Sequence, residues 1–204
     1  MDNTTLFSQV IRLLPKEKLR QLVDQHQTDK HRKGLDSLTQ LVAMIFSQFG
    51  AKDSLRTICQ GLLSATGSLV HLGIGKAPTK SALSYNNEKR NAKLFEQYFH
   101  HLVGLFYAPK RRTGRLARIK APIKILDSTT IALCMQVFDW AKYRKTKGAV
   151  KVHTLIDYEA IMPQYVVVST GKKADNKAAF EVAKPKGAVV MADRGYADHK
   201  LLGH

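Results

Sequence analysis

The hydrophobic period of this chain changes once, near Pro109, and that change divides what the chain can fold into. Before it, apolar residues recur every three or four positions. Leu6, Val10, Leu13 and Leu14 form one such run, which Pro15 ends; Leu19, Leu22 and Val23 continue on a second helix. Asp36 and Ser37 read as an N-cap before Leu38, Leu41, Val42, Ile45, Phe46 and Phe49, with Gly50 as the stop. Asp53 starts a further helix carrying Leu55, Ile58, Leu62 and Leu63. Gly67, Gly73, Gly75 and Pro78 mark a break, after which Thr79 or Ser81 can cap another helix. Residues 88–107 then show Leu94, Phe95, Tyr98, Phe99, Leu102, Val103 and Phe106, a wide apolar stripe on one long helix, whose aromatics read as core.

After Pro109 the runs become short and strand-like. Ile123–Leu126 ends in Asp127, Val152–Asp157 and Tyr165–Ser169 follow, and Ala188–Ala192 ends in Asp193. Between the last two, residues 176–183 predict a short helix closed by Pro185 and Gly187. Three consecutive strands with short links predict an antiparallel meander. The helix then returns the chain to a fourth strand, which can lie parallel to the first. The expected fold class is α/β, a helical N-terminal region followed by a mixed sheet.

Charge narrows the partners. Lys and Arg number 33 against 16 Asp and Glu, a net charge of +17 and a pI near 10.0, which asks for a polyanion. Lys110, Arg111, Arg112, Arg115, Arg118 and Lys120 crowd the segment after Pro109, either as a solvated linker or as a strip that contacts phosphate. Lys142, Arg144, Lys145 and Lys147 follow Trp140 and flank Tyr143; bases beside aromatics suit DNA, although a solvated basic loop has the same composition. No run approaches the ~18 apolar residues of a membrane span, and the N-terminus lacks a basic-then-apolar leader. Cys59 and Cys134 stand among apolar neighbours without metal-ligand spacing, as reduced buried thiols would. A cytoplasmic protein without a membrane partner is expected.

Two carboxylates, Asp127 and Asp193, each end an apolar run. If the first and fourth strands are neighbours, these side chains converge and offer the hard oxygen ligands that Mg²⁺ prefers. An Asp capping a turn at each strand end is the competing reading. His153 reads more readily as a packed or surface histidine than as a ligand, and His100 and His101 are adjacent and so face apart on a helix. Gly73-Ile74-Gly75-Lys76 lacks the earlier glycine and the following Ser or Thr of a phosphate-binding loop.

Asp127-Ser128-Thr129 and Asp193-Arg194-Gly195-Tyr196 resemble the first and second catalytic blocks of DDE transposases of bacterial insertion sequences. The branch is the one known for a tyrosine-arginine-glutamate-lysine signature, the IS-four family. Gly148, Lys151, His153 and Asp157, followed by Pro163, are similar to the segment between the blocks. Ser81-Ala82-Leu83-Ser84-Tyr85-Asn86 with Arg90 is similar to the N-terminal helical region of one subgroup.

The resemblance implies a helical DNA-binding region at 1–108, a basic linker at 109–120 and a partial ribonuclease-H-like catalytic domain at 121–204. It implies two Mg²⁺ ions held in part by Asp127 and Asp193, and Arg194 contacting DNA phosphate or orienting Asp193. It implies binding to terminal repeats, Mg²⁺-dependent cleavage and transfer of the 3′-OH to target DNA, with further copies of the transposase as possible partners. The family's third carboxylate is a glutamate on a later helix. Here Glu181 is the last glutamate, and Asp198 is the only acid after Asp193. The sheet is therefore expected to be C-terminally incomplete and the chain inactive alone. The alternative is a non-catalytic DNA-binding fragment acting as a regulator or a pseudogene product.

Overall fold

The computed structural model describes residues 5–30, 32, 34–49, 54–64, 69–133, 142–144, 147–182 and 185–196. The chain falls into two compact units, residues 1–102 and 103–204.

The first unit is helical: α1 (Leu6–Leu13), α2 (Lys16–His26), α3 (Ser37–Phe49), α4 (Leu55–Ser64), α5 (Leu69–Leu72), α6 (Lys80–Lys89) and most of α7 (Lys93–Phe106). Its starts follow side-chain chemistry. Asp36 accepts from the Thr39 N–H at 2.6 Å, and Thr79 accepts from the Ala82 N–H at 3.2 Å, so both predicted caps are real. Gly50, Asp53 and Gly67 lie outside the described residues. The first turn of α4 is capped by Ser54, whose hydroxyl accepts from the Thr57 N–H at 3.2 Å.

The single helix expected over 88–107 is two helices, separated at Arg90–Ala92. Arg90 is extended, and its guanidinium turns inward to donate to the Leu35 carbonyl at 2.9 Å and pair with Asp29 at 3.2 Å. A buried guanidinium needs such partners, and reaching them breaks the helix. Asn91 then accepts from the Lys93 N–H at 3.0 Å and starts α7. Ile11, Val42, Leu62, Leu72 and Leu83 form one core cluster. Leu19, Leu22, Leu94 and Tyr98 form another, and each such side chain contributes about 1.5–3 kcal/mol by leaving water.

The second unit is built on β1 (Ile123–Leu133), β2 (Lys142–Arg144), β3 (Lys147–Asp157), β4 (Met162–Thr170), α8 (Asp175–Ala179) and β5 (Val189–Ala192). β3 pairs antiparallel with β1 and β4, and β5 pairs parallel with β1. The order β4-β3-β1-β5 is the meander with a parallel fourth member that the period predicts. The fold is α/β, helices followed by a mixed sheet, consistent with the ribonuclease-H-like class.

Two expectations need correction. Asp127 does not end its strand: β1 continues to Leu133, because Ser128, Thr129, Thr130 and Ile131 pair with His153, Val152, Lys151 and Val150. Threonine and isoleucine favour a pleated backbone, so the polar run reads as a loop only if hydroxyls are scored as loop formers. The stretch from Lys142 is also not a plain loop. Lys142 and Arg144 lie on β2, which pairs with the start of β3 at Lys147 and Gly148. Lys145, Trp140 and Cys134 lie outside the described residues.

Leu126, Leu155, Ala179, Val182 and Tyr196, with Tyr165, Val167 and Val190 against them, form the core on the sheet face that α8 covers. At one end of that face Lys124 and Asp157 form a buried ion pair. Val166, Val168 and Met191, whose register places them on the other face, are exposed.

Candidate active site

Leu126 pairs with Ala192 across the parallel strands β1 and β5. The next residues, Asp127 and Asp193, each directly follow that last pair, although they are distant in sequence. Both side chains are exposed. Strand alternation turns Asp127 to the face opposite Leu126 and Ser128. Asp193 leads out of β5 into a short 3-10 turn, Arg194–Tyr196, and its Oδ1 accepts from the Gly195 N–H at 3.0 Å. Arg194 sits exposed on that turn. Two exposed carboxylates, one on β1 and one just beyond the end of β5, fit the oxygen preference of a divalent cation. Among the described residues no group of three or more His, Cys, Asp or Glu side chains is arranged to hold a metal ion.

Behind the pair lies a polar network on the α8 side of the sheet. Ser128 donates to Asp175 Oδ1 at 3.1 Å, and Lys151 donates to both Asp175 oxygens at 3.0 and 3.1 Å. His153 is fully buried; its Nδ1 lies 3.1 Å from the Tyr196 hydroxyl and its Nε2 lies 3.0 Å from the Ser169 hydroxyl. The expectation of a packed histidine holds. Burial pushes the His153 imidazole down, partly offset by Asp175. Burial pushes the Tyr196 phenol up; Ser128 opposes this by hydrogen bonding, and the charges of Asp175, Asp127 and Asp193 add to it.

Sequence reasoning passed over Asp175. It follows two lysines and opens a five-residue helix, which looks like an ordinary acidic first turn. A signal existed in the register: Ser128 and His153 face each other across β1 and β3, so a polar pair had to be satisfied from the helix above.

The basic strip resolves into two kinds of residue. Lys110, Arg111, Arg115, Arg118 and Lys120 are exposed, three of them on or beside the 3-10 turn Gly114–Arg118. Arg112 differs: it is half-buried, pairs with Glu159 of the β3–β4 turn, and donates to the Ile119 carbonyl. With the Lys110 N–H donating to the Glu159 carbonyl at 3.0 Å, Arg112 closes the strip into a loop and presents its neighbours outward.

Residues 118–204 match the family model of the transposase DDE domain, and the segment contains both Asp127 and Asp193. By that match, the C-terminal segment is similar to the DDE domain of insertion-sequence transposases. Residues 2–75 match a domain of unknown function. A curated relative, the probable transposase for insertion sequence element IS5377 of Geobacillus stearothermophilus, is 30% identical over 86 residues. That stretch is 42% of this chain and 22% of the relative, so the chain spans well under two thirds of the relative it matches. No solved structure matches the chain. No helix among the described residues is long and apolar enough to cross a membrane.

Proposed function

We propose that this transposase chain contributes two of the catalytic carboxylates, Asp127 and Asp193, to Mg²⁺-dependent cleavage and strand transfer at the ends of an insertion sequence. The observation that carries the proposal is the Leu126–Ala192 pairing, which brings the starts of both catalytic blocks together on parallel strands. When bound, Mg²⁺ would lower the cost of the negative charge that develops at the phosphodiester and help to ionise water. The chain's own residues position and neutralise. Asp127 offers oxygens from a paired strand. Asp193 has one oxygen engaged by the Gly195 N–H, and among the described residues no hydrogen bond engages the other. Arg194, exposed beside Asp193, would meet DNA phosphate.

DNA would be held along Lys110, Arg111, Arg115, Arg118 and Lys120, with Lys142, Arg144, Lys145 and Lys147 as a second contact. Arg112 serves the loop and leaves the contact set. Residues 1–108 would recognise the terminal repeats, 109–120 would link, and residues 121–204 would begin the catalytic domain. The setting is cytoplasmic, with further copies of the transposase as partners.

The test uses the full-length protein, insertion-sequence terminal DNA, and Mg²⁺. Asp127→Asn and Asp193→Asn should each reduce nicking to background while DNA binding persists. Nicking at the unmodified rate by either variant would sink the assignment.

A further inference from the structure

We propose that Asp175 and Tyr196 are positioning residues that lock the 193–196 turn onto the sheet and hold the Asp193 carboxylate beside the strand that carries Asp127. This rests on the two-carboxylate reading of the site.

The turn needs an anchor. It follows a four-residue strand, and its own backbone supplies one bond, from the Tyr196 N–H to the Asp193 carbonyl at 3.2 Å. Short exposed segments with few such bonds open easily. Two contacts oppose that opening. Tyr196 is buried, with its ring among Leu126, Leu155, Ala179 and Val182, and its hydroxyl reaches His153 Nδ1 at 3.1 Å. Through His153 and Ser169 the turn is tied to β3 and β4.

Asp175 buttresses the other side. A Cβ placed on Gly195 would stand 3.1 Å from Asp193 Oδ1 and 3.4 Å from Asp175 Oδ2. Gly195 is therefore held between two carboxylates, and a side chain there would displace one of them. Two such acids would repel, but Lys151 neutralises Asp175 with contacts to both oxygens. Asp193 remains the carboxylate free to meet a cation. Asp175 also accepts from Ser128, the residue after Asp127. One side chain thus bonds to the neighbour of the first aspartate and lies close to the turn of the second.

The experiment uses the full chain with two readouts: solvent exchange of the Gly195 amide, and binding of Mn²⁺ followed by line broadening around residues 127 and 193. Tyr196→Phe removes one oxygen; continued protection of the Leu155 amide will report that the sheet is intact. Gly195 exchange should rise by about 10-fold and Mn²⁺ affinity should fall by about 10-fold, the usual effect of losing a partner behind a ligand. Asp175→Ala should do the same, and Asp175→Asn, which keeps an acceptor for Ser128 and Lys151, should recover most of the loss. Unchanged Gly195 exchange and Mn²⁺ affinity in Tyr196→Phe and Asp175→Ala would overturn the proposal. Asp127→Asn is the separate control: Mn²⁺ binding that survives it defeats the metal site itself, while Gly195 exchange still judges the positioning role.

Discussion

Lys124 and Asp157 pair inside the second unit, where both side chains are buried. Burial alone would raise the Asp157 carboxyl. Hydrogen bonding from Lys124 and from the Ala160 N–H at 2.8 Å, the charge of Lys124, and the Tyr107 hydroxyl at 3.3 Å outweigh it and hold the carboxyl below its ordinary value. Removing one partner strands the other charge, so Lys124→Met should cost about 3–5 kcal/mol in urea unfolding. The double variant Lys124→Met with Asp157→Leu should recover much of that. A single variant as stable as the parent would contradict the pairing.

The depressed Asp157 also sets an acid limit. Its stabilisation is complete above the unfolded carboxyl value of 3.8 and is lost as pH falls through the lower folded value. His153 acts in a different window. Its folded imidazole takes up a proton less readily than the unfolded one, whose value is 6.5. As pH falls below 6.5 the unfolded chain is protonated first, so stability declines until folded His153 titrates as well. Urea unfolding between pH 7 and 5 should show this decline, and His153→Gln should flatten it. Equal slopes in both proteins would count against a neutral buried His153.

Tyr98 carries a buried hydroxyl without a hydrogen-bond partner among the described residues, and burial pushes its phenol up to about 12. An unsatisfied buried hydroxyl costs about 1–3 kcal/mol, so Tyr98→Phe should leave stability unchanged or raise it. A clear drop in Tm would mean that the hydroxyl has found a partner.

The exposed bases and Arg112 should separate by salt dependence. Arg111→Ala and Arg115→Ala should each weaken DNA binding and lower the salt slope by about 0.9. Arg112→Ala should instead loosen the loop that Glu159 and Ile119 close, seen as lower thermal stability of the second unit. A full slope change in Arg112→Ala, with stability intact, would return it to the contact set.

The sheet was legible because apolar runs at 123–126, 152–157, 165–169 and 188–192 have strand period, and one helix before the last forces a parallel return. The strand end after Asp127 was not legible, since Ser128-Thr129-Thr130 can pair or turn and only β3 decides. Arg90 hid its helix break, because a surface-type residue becomes a core residue only when Asp29 and Leu35 are near in space. The two aspartates of the candidate site were readable as motif. Asp175, Lys151 and His153 were not readable as one network, because their association depends on face and register rather than spacing.

Metal ligation by the paired aspartates is tested most directly by exchanging oxygen for sulfur in the whole transposase. Asp127→Cys and Asp193→Cys should each lose strand cleavage in Mg²⁺ and regain part of it in Mn²⁺, which accepts a thiolate more readily. Cleavage by both variants in Mg²⁺ at the unmodified rate would show that neither side chain holds the cation.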